Sequence, residues 1–236
     1  IIKNFIHFMY TNLSNLDNNN HLDIKGSLKI EPLVQEIGKN AFNGDKGFDS
    51  VYIPETVVSI GEKAFANSGS GKKFDPETEP DRVGLTIYGC SQIVDGSHVL
   101  GNSNDELFNN AKYNNVTIGG NVEVIANDLM SSGKSDFDHT KLTGTLKIES
   151  PVRSIGIKSF YGDTGFDSVI IPDTVTAIGD SAFDYSGSGN GSLEIYGYSW
   201  TDENGAKVLG HGRINSTIFN HGKYRNVTIG GRVDVI

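Results

Sequence analysis

FDSVYIPETVVSIGEKAFANSGS, Phe48 to Ser70, returns as FDSVIIPDTVTAIGDSAFDYSGS, Phe166 to Ser188. The copies lie 118 residues apart, from Phe48 to Phe166. Near-identity at that separation marks a tandem duplication, and a fixed period is the signature of a repeat array. Within the first copy, Val51 and Ile53 alternate with Tyr52 and Pro54. That spacing predicts a short strand with Val51 and Ile53 buried on one face. Pro54 has no N–H, so the strand ends there or needs no ladder bond there. Val57 and Ile60 are the next apolar positions, and Gly61 reads as a turn residue with φ > 0. Glu62 to Ala66 reads as one helical or 3₁₀ turn that drives Phe65 inward. Asn67-Ser68-Gly69-Ser70 is a polar turn back toward the next strand. One such unit has one apolar face and few internal contacts, so stacked neighbours must close its core.

Eight inward strand isoleucines follow from this frame: Ile30, Ile53, Ile87, Ile118, Ile148, Ile171, Ile195 and Ile229. Seven residues beyond them lie Ile37, Ile60, Val94, Ile125, Ile155, Ile178 and Ile236, with Asp202 as the exception. Twelve residues beyond lie Phe42, Phe65, Met130, Phe160 and Phe183, an expected stacked spine. In the third unit of each half the nearest candidates for that spine are Val99-Leu100 and Val208-Leu209. Four units make a block, and the block occurs twice. SLKIEPLVQEIGKNAF matches TLKIESPVRSIGIKSF, LTIYG matches LEIYG, and KYNNVTIGGNVEVI matches KYRNVTIGGRVDVI. The blocks run over about 24–141 and 142–236, after a partial repeat at 1–23. Residues 69–84 are shortened to GSGNGS in the second half and read as an exposed loop on a rim. Solenoid ends carry polar caps. The sequence starts and stops in mid-unit, so one array over 1–236, cut from a longer one, is expected.

The pattern V-x-I-P-x-x-V-x-x-I-G-x-x-A-F is complete at 51–65 and at 169–183. It resembles the BspA-like, Treponema pallidum-type leucine-rich repeats of bacterial and some protist surface proteins. The resemblance implies an α/β fold: a right-handed solenoid with short parallel strands on its concave side, and turns and single-turn helices elsewhere. It also implies a non-enzymatic cell-surface or secreted protein that mediates adhesion. Its expected partner is an extracellular protein (matrix or host surface) or a glycan. Two alternatives remain: a structural spacer that projects another domain, or a carbohydrate-binding accessory region of a larger enzyme.

On the concave side, residues alternating with the buried ones point outward. The first outward column is Lys29, Tyr52, Thr86, Thr117, Lys147, Ile170, Glu194 and Thr228. The second is Glu31, Pro54, Tyr88, Gly119, Glu149, Pro172, Tyr196 and Gly230. Candidate ligand-binding residues are Lys29, Glu31, Tyr52, Tyr88, Lys147, Glu149, Glu194 and Tyr196. Tyrosine gives large contact area at low entropy cost. Strands also favour tyrosine, so these rings equally read as a cover for the sheet. Lys29 with Glu31, and Lys147 with Glu149, equally read as solvated pairs.

Composition narrows the partner. The 236 residues carry a net charge of −9 and 29 glycines, with 36% hydrophobic residues. An acidic chain disfavours nucleic acid and anionic membranes. No apolar run approaches the length of a membrane span, and IIKNFIHFMY lacks the features of a signal peptide. The single cysteine, Cys90, permits no internal disulfide. It is matched by Tyr198, which argues against a nucleophile. His7, His21, His98, His139, His211 and His221 show no metal-ligand spacing. There is no G-x-S-x-G elbow and no P-loop. Ile-Gly-Gly at 118–120 and 229–231 reads as a turn after a strand. TDENGAK at 201–207 hints at a calcium loop but lacks its oxygen-ligand spacing. Sequons stand at Asn12, Asn115, Asn190, Asn215 and Asn226. No cofactor is expected.

Overall fold

The computed structural model describes residues 25–73, 84–102, 106–130, 142–210 and 217–236. Eight parallel strands form one sheet: Gly26–Lys29, Phe48–Ile53, Leu85–Ile87, Asn114–Ile118, Thr143–Ile148, Phe166–Ile171, Ser192–Ile195 and Asn226–Ile229. Their order in the sheet is their order in the chain. Each unit therefore pairs only with the one before and the one after, as a repeat array requires. The alternation read from the sequence holds: Val51 and Ile53, Leu85 and Ile87, and Val116 and Ile118 are fully enclosed.

Past each strand the chain turns and makes a second, shorter ladder. Glu36–Ile37 pairs with Ser59–Ile60. Ser97–Leu100, Val124–Ile125, Ser154–Ile155 and Ala177–Ile178 run in parallel as neighbours, with Gln92–Val94 added at one edge. Then come the phenylalanines. Phe42 stacks on Phe65 at 5.1 Å, and Phe65 on Phe108 at 5.7 Å. In the second half Phe160 stacks on Phe183 at 5.1 Å, and Phe183 on Phe219 at 5.3 Å. Met130 is buried in the spine as expected.

The structure corrects several sequence readings. Among the described residues no helix forms, so the α/β class reduces to strands and turns. The expected helical turn at Glu62–Ala66 is prevented by Lys63, which is left-handed at φ 58°. Asn40, Asp128, Lys158 and Ser181 repeat that conformation. It releases the turn to bond between units: Phe42 N–H donates to Ala64 C=O, and Phe65 N–H to Leu107 C=O. Gly61 is not the left-handed residue. It is glycine because a Cβ there would sit 2.8 Å from the backbone of Gly38 and Lys39 in the preceding unit.

The third units also differ. Val94 is 45% exposed, because Gln92–Val94 and Ser97–Leu100 form a hairpin. Asp95 and Gly96 close it with φ of 49° and 79°, the signature of a two-residue primed turn. Leu100, aligned with Ile125, takes the buried place expected of Val94. The spine positions near Val99-Leu100 and Val208-Leu209 belong instead to Phe108 and Phe219. A second hairpin, Trp200–Thr201 with Lys207–Val208, explains the exception at Asp202. Ile229 is half-buried and Ile236 is 81% exposed, since no described unit packs on that side. The partial repeat at 1–23 and most of the 69–84 loop fall outside the described residues.

One tyrosine locks each half: Tyr113, fully buried, in the first, and Tyr224, partly buried, in the second. Tyr113 Oη lies 2.7 Å from Ser68 Oγ, and Tyr224 Oη 2.7 Å from Ser186 Oγ. Each serine donates its own proton to a phenylalanine carbonyl, Phe65 or Phe183, so the tyrosines donate to the serines. Burial pushes Tyr113 far above its ordinary value and Tyr224 up to about 12.

Two outcomes follow. Phe65→Ala removes a ring stacked on both sides and lowers unfolding stability by about 3–5 kcal/mol, read from urea denaturation. Tyr224 has a folded pKa above its unfolded value of 10.0. Its contribution is complete below pH 10 and is lost as pH rises through about 12. The wild-type chain loses about 2 kcal/mol more than Tyr224→Phe between pH 9 and pH 11.5, by the difference in urea midpoints.

Candidate functional site

The candidate residues lie on the face of the eight-stranded sheet opposite its buried side. Lys29, Tyr52, Thr86, Thr117, Lys147, Ile170, Glu194 and Thr228 form one continuous register column, each aligned with the next. Thr86 is the member that fails to project: it is only 5% exposed. The second column is tied just beyond the strand ends, where Tyr88 N–H donates to Ile53 C=O and Glu149 N–H to Ile118 C=O.

Across the boundary between the halves these side chains close on one another. The Tyr52 and Tyr88 rings meet edge to face at 5.8 Å. Such a pair adds about 0.5–1.5 kcal/mol beyond area burial. Tyr88 Oη donates to Glu149 Oε2 at 3.2 Å, across 61 residues of sequence. Lys147 Nζ stands 2.7 Å from Glu149 on the other side. Tyr52, Tyr88, Glu149 and Lys147 therefore form one connected group. Lys29 and Glu31 make a looser pair at 3.7 Å. Exposed ion pairs of this kind contribute about 0–1 kcal/mol. Glu194 and Tyr196 form their own pair, with Tyr196 Oη donating at 3.2 Å.

Glycines make room for the tyrosines. A Cβ on Gly120 would collide with the Cα and Cβ of Tyr88, and one on Gly231 with the Cβ of Tyr196 at 2.9 Å. A Cβ on Gly119 would lie 2.8 Å from that of Glu149. The Ile-Gly-Gly segments are thus the floor over which Tyr88 and Tyr196 lie. The sequence held the signal, since a Tyr-Gly strand end precedes an Ile-Gly-Gly strand end in both halves.

Burial, and then the charge of Glu149, push the Tyr88 hydroxyl up. The hydrogen bond to Glu194 raises Tyr196. Both phenols are neutral donors at physiological pH. The face offers rings, hydroxyls and paired charges.

Elsewhere the chemistry is structural. Burial pushes the Cys90 thiol up, and it points at Val58 C=O. The Asp202 carboxylate accepts the N–H groups of Asn204 and Ala206, so TDENGAK is a hairpin turn that satisfies itself. Asn115 Oδ1 accepts Thr145 N–H at 2.8 Å, a strand-to-strand bond. Asn190 and Asn226 are exposed; Asn12 and Asn215 lie outside the described residues. His7, His21, His139 and His211 also lie outside them. Among the described residues no three His, Cys, Asp or Glu side chains gather at a metal-binding distance. No helix there is long and apolar enough to cross a membrane.

Stacked parallel units, an Ile-Gly contact between backbones and a buried phenylalanine ladder are the structural content of the repeat pattern. The BspA type leucine-rich repeat region matches residues 7–135 and 130–195, in six copies. The chain belongs to the BspA-type leucine-rich repeat family. No curated protein and no solved structure matches the chain. Repeats of this type suggest a protein-binding repeat protein.

The rims of this BspA-type array differ between halves. Asn67 Nδ2 donates to Asn43 Oδ1, and Asn110 Nδ2 to Asn67 Oδ1, an amide ladder. At the equivalent places the second half carries Tyr161, Tyr185 and His221: Tyr161 meets Tyr185 edge to face at 5.4 Å, and Tyr185 stacks on His221 at 4.7 Å.

Gly120 has φ 62°, so Gly120→Ala meets both backbone strain and the Tyr88 side chain. It lowers stability by about 2 kcal/mol and alters the near-ultraviolet tyrosine dichroism. Gly96→Ala, at φ 79° but facing open space, leaves the dichroism unchanged.

Proposed function

We propose that this chain is a non-enzymatic, cell-surface or secreted adhesion module that binds an extracellular protein on the face of its eight-stranded sheet. In this reading the array is a right-handed solenoid over 1–236, and that face is concave. The observation that carries it is the pair Tyr88 and Tyr196, held at equivalent positions of the two halves over glycine floors. Rigid aromatic anchors with two free torsions are what protein interfaces concentrate their energy in. Lys29, Glu31, Tyr52, Lys147, Glu149 and Glu194 surround them as the polar rim of the same face. The net charge of −9 sets the chain against nucleic acid and anionic lipid as partners.

The test is capture of matrix and host surface proteins, with glycans beside them, by the immobilised chain and by Tyr88→Ala/Tyr196→Ala. Saturable protein binding weakened at least tenfold in the double variant supports the reading; truncating an interface anchor has an effect of that size. Undiminished binding by the variant moves the site off this face. No binding at about 100 μM, near −5.5 kcal/mol, leaves the array a spacer.

A further inference from the structure

The two halves differ at one place on the sheet face in a way that describes a ligand. Tyr52 and Ile170 hold equivalent register positions, the first between Lys29 and Thr86, the second between Lys147 and Glu194. In the first half the Tyr52 ring sits edge to face against Tyr88. In the second half the smaller Ile170 stands there, and a pocket of about 540 Å³ opens beside Tyr196. Ile170, Pro172 and Tyr196 form its apolar lining, with Lys147, Glu149 and Asp173 as its polar groups. The first half has the same wall chemistry at the matching positions: Pro54, Tyr88, Lys29, Glu31 and Glu55. The walls recur and the ring does not.

We propose that this pocket receives an aromatic side chain, tyrosine or phenylalanine, of the partner protein, seated edge to face on Tyr196 as Tyr52 is on Tyr88. The inference rests on the reading that the sheet face binds a protein. Three features support an aromatic guest. The walls are apolar on the sheet side, as ligand pockets are, with a few polar groups to orient the guest. Tyr196 offers the ring quadrupole that edge-to-face pairs use. The molecule itself seats a phenol ring in the matching frame.

The experiment titrates the whole chain with N-acetyl-L-tyrosinamide and, separately, N-acetyl-L-leucinamide, following the Ile170 δ1 methyl by NMR. The expected result is a saturable ring-current shift with the tyrosine probe and about fivefold weaker binding of the leucine probe. Ile170→Tyr fills the pocket with the chain's own ring and abolishes tyrosinamide binding, read on the Tyr196 backbone amide. This variant is safe for folding, because Tyr52 already occupies the matching place. Equal binding of the two probes, an unshifted methyl, or retained binding by Ile170→Tyr overturns the proposal. A captured protein separates it from the wider reading. Capture lost in Tyr88→Ala/Tyr196→Ala but undiminished in Ile170→Tyr sinks the aromatic pocket and leaves the binding face standing. Tyrosinamide binding without any protein capture leaves an aromatic pocket but overturns its assignment to a partner protein.

Discussion

Phe42, Phe65 and Phe108 lie ring on ring, and Phe160, Phe183 and Phe219 repeat the arrangement. No unit buries its own phenylalanine; the units on either side do. Everything else in the chain follows from that dependence. The turn that carries each ring must bond outward to the next unit, so its third residue turns left-handed instead of continuing a helix. The backbone must approach its neighbour closely just before that turn, so Ile is followed by Gly. The strands, held at the same unit spacing, then align into one uninterrupted parallel sheet.

That sheet converts a packing solution into a display surface. Inward residues are set by the core, and outward residues are presented in straight columns with a backbone that cannot shift one position without turning core residues outward. Tyr88 reaches Glu149 only because two intervening residues, Gly119 and Gly120, have no side chain. A precise polar contact between units three and five is thus set by glycines in unit four. The outward geometry is set by the same close approach of backbones that closes the core.

The columns were legible because their cause is local and periodic. Val51 and Ile53 alternate with Tyr52, and Leu146 and Ile148 with Lys147, so the outward column from Lys29 to Thr228 could be read in full. The third units were not, because an inserted hairpin breaks the spacing. Its marker, Asp95-Gly96 between two apolar runs, was present, but a fixed seven-residue step passes over it and selects Val94 instead of Leu100. The left-handed Lys63 was invisible for a different reason. Lysine has no preference for that conformation; bonds made to another unit impose it. The glycine floors beneath Tyr88 and Tyr196 needed knowledge of which unit lies against which, so Ile-Gly-Gly read only as a turn.

The duplication supplies its own control. Two halves that share one backbone plan fold with Tyr52 or Ile170, with Asn67 or Tyr185, and with Lys39 or Ile157 at matching places. Packing cannot require either member of such a pair, since the other satisfies the same frame. In the first half these outward residues are consumed by each other: Tyr52 against Tyr88, Asn67 against Asn43, Lys39 against Glu62 at 2.6 Å. In the second half the partners change: Tyr185 meets Tyr161 and His221, Ile157 is 44% exposed, and a pocket opens beside Ile170. An exposed apolar or aromatic group in water is a standing cost that a partner removes. The frame fixes where these side chains stand and leaves their chemistry free, so the two halves differ at outward places without cost to the core.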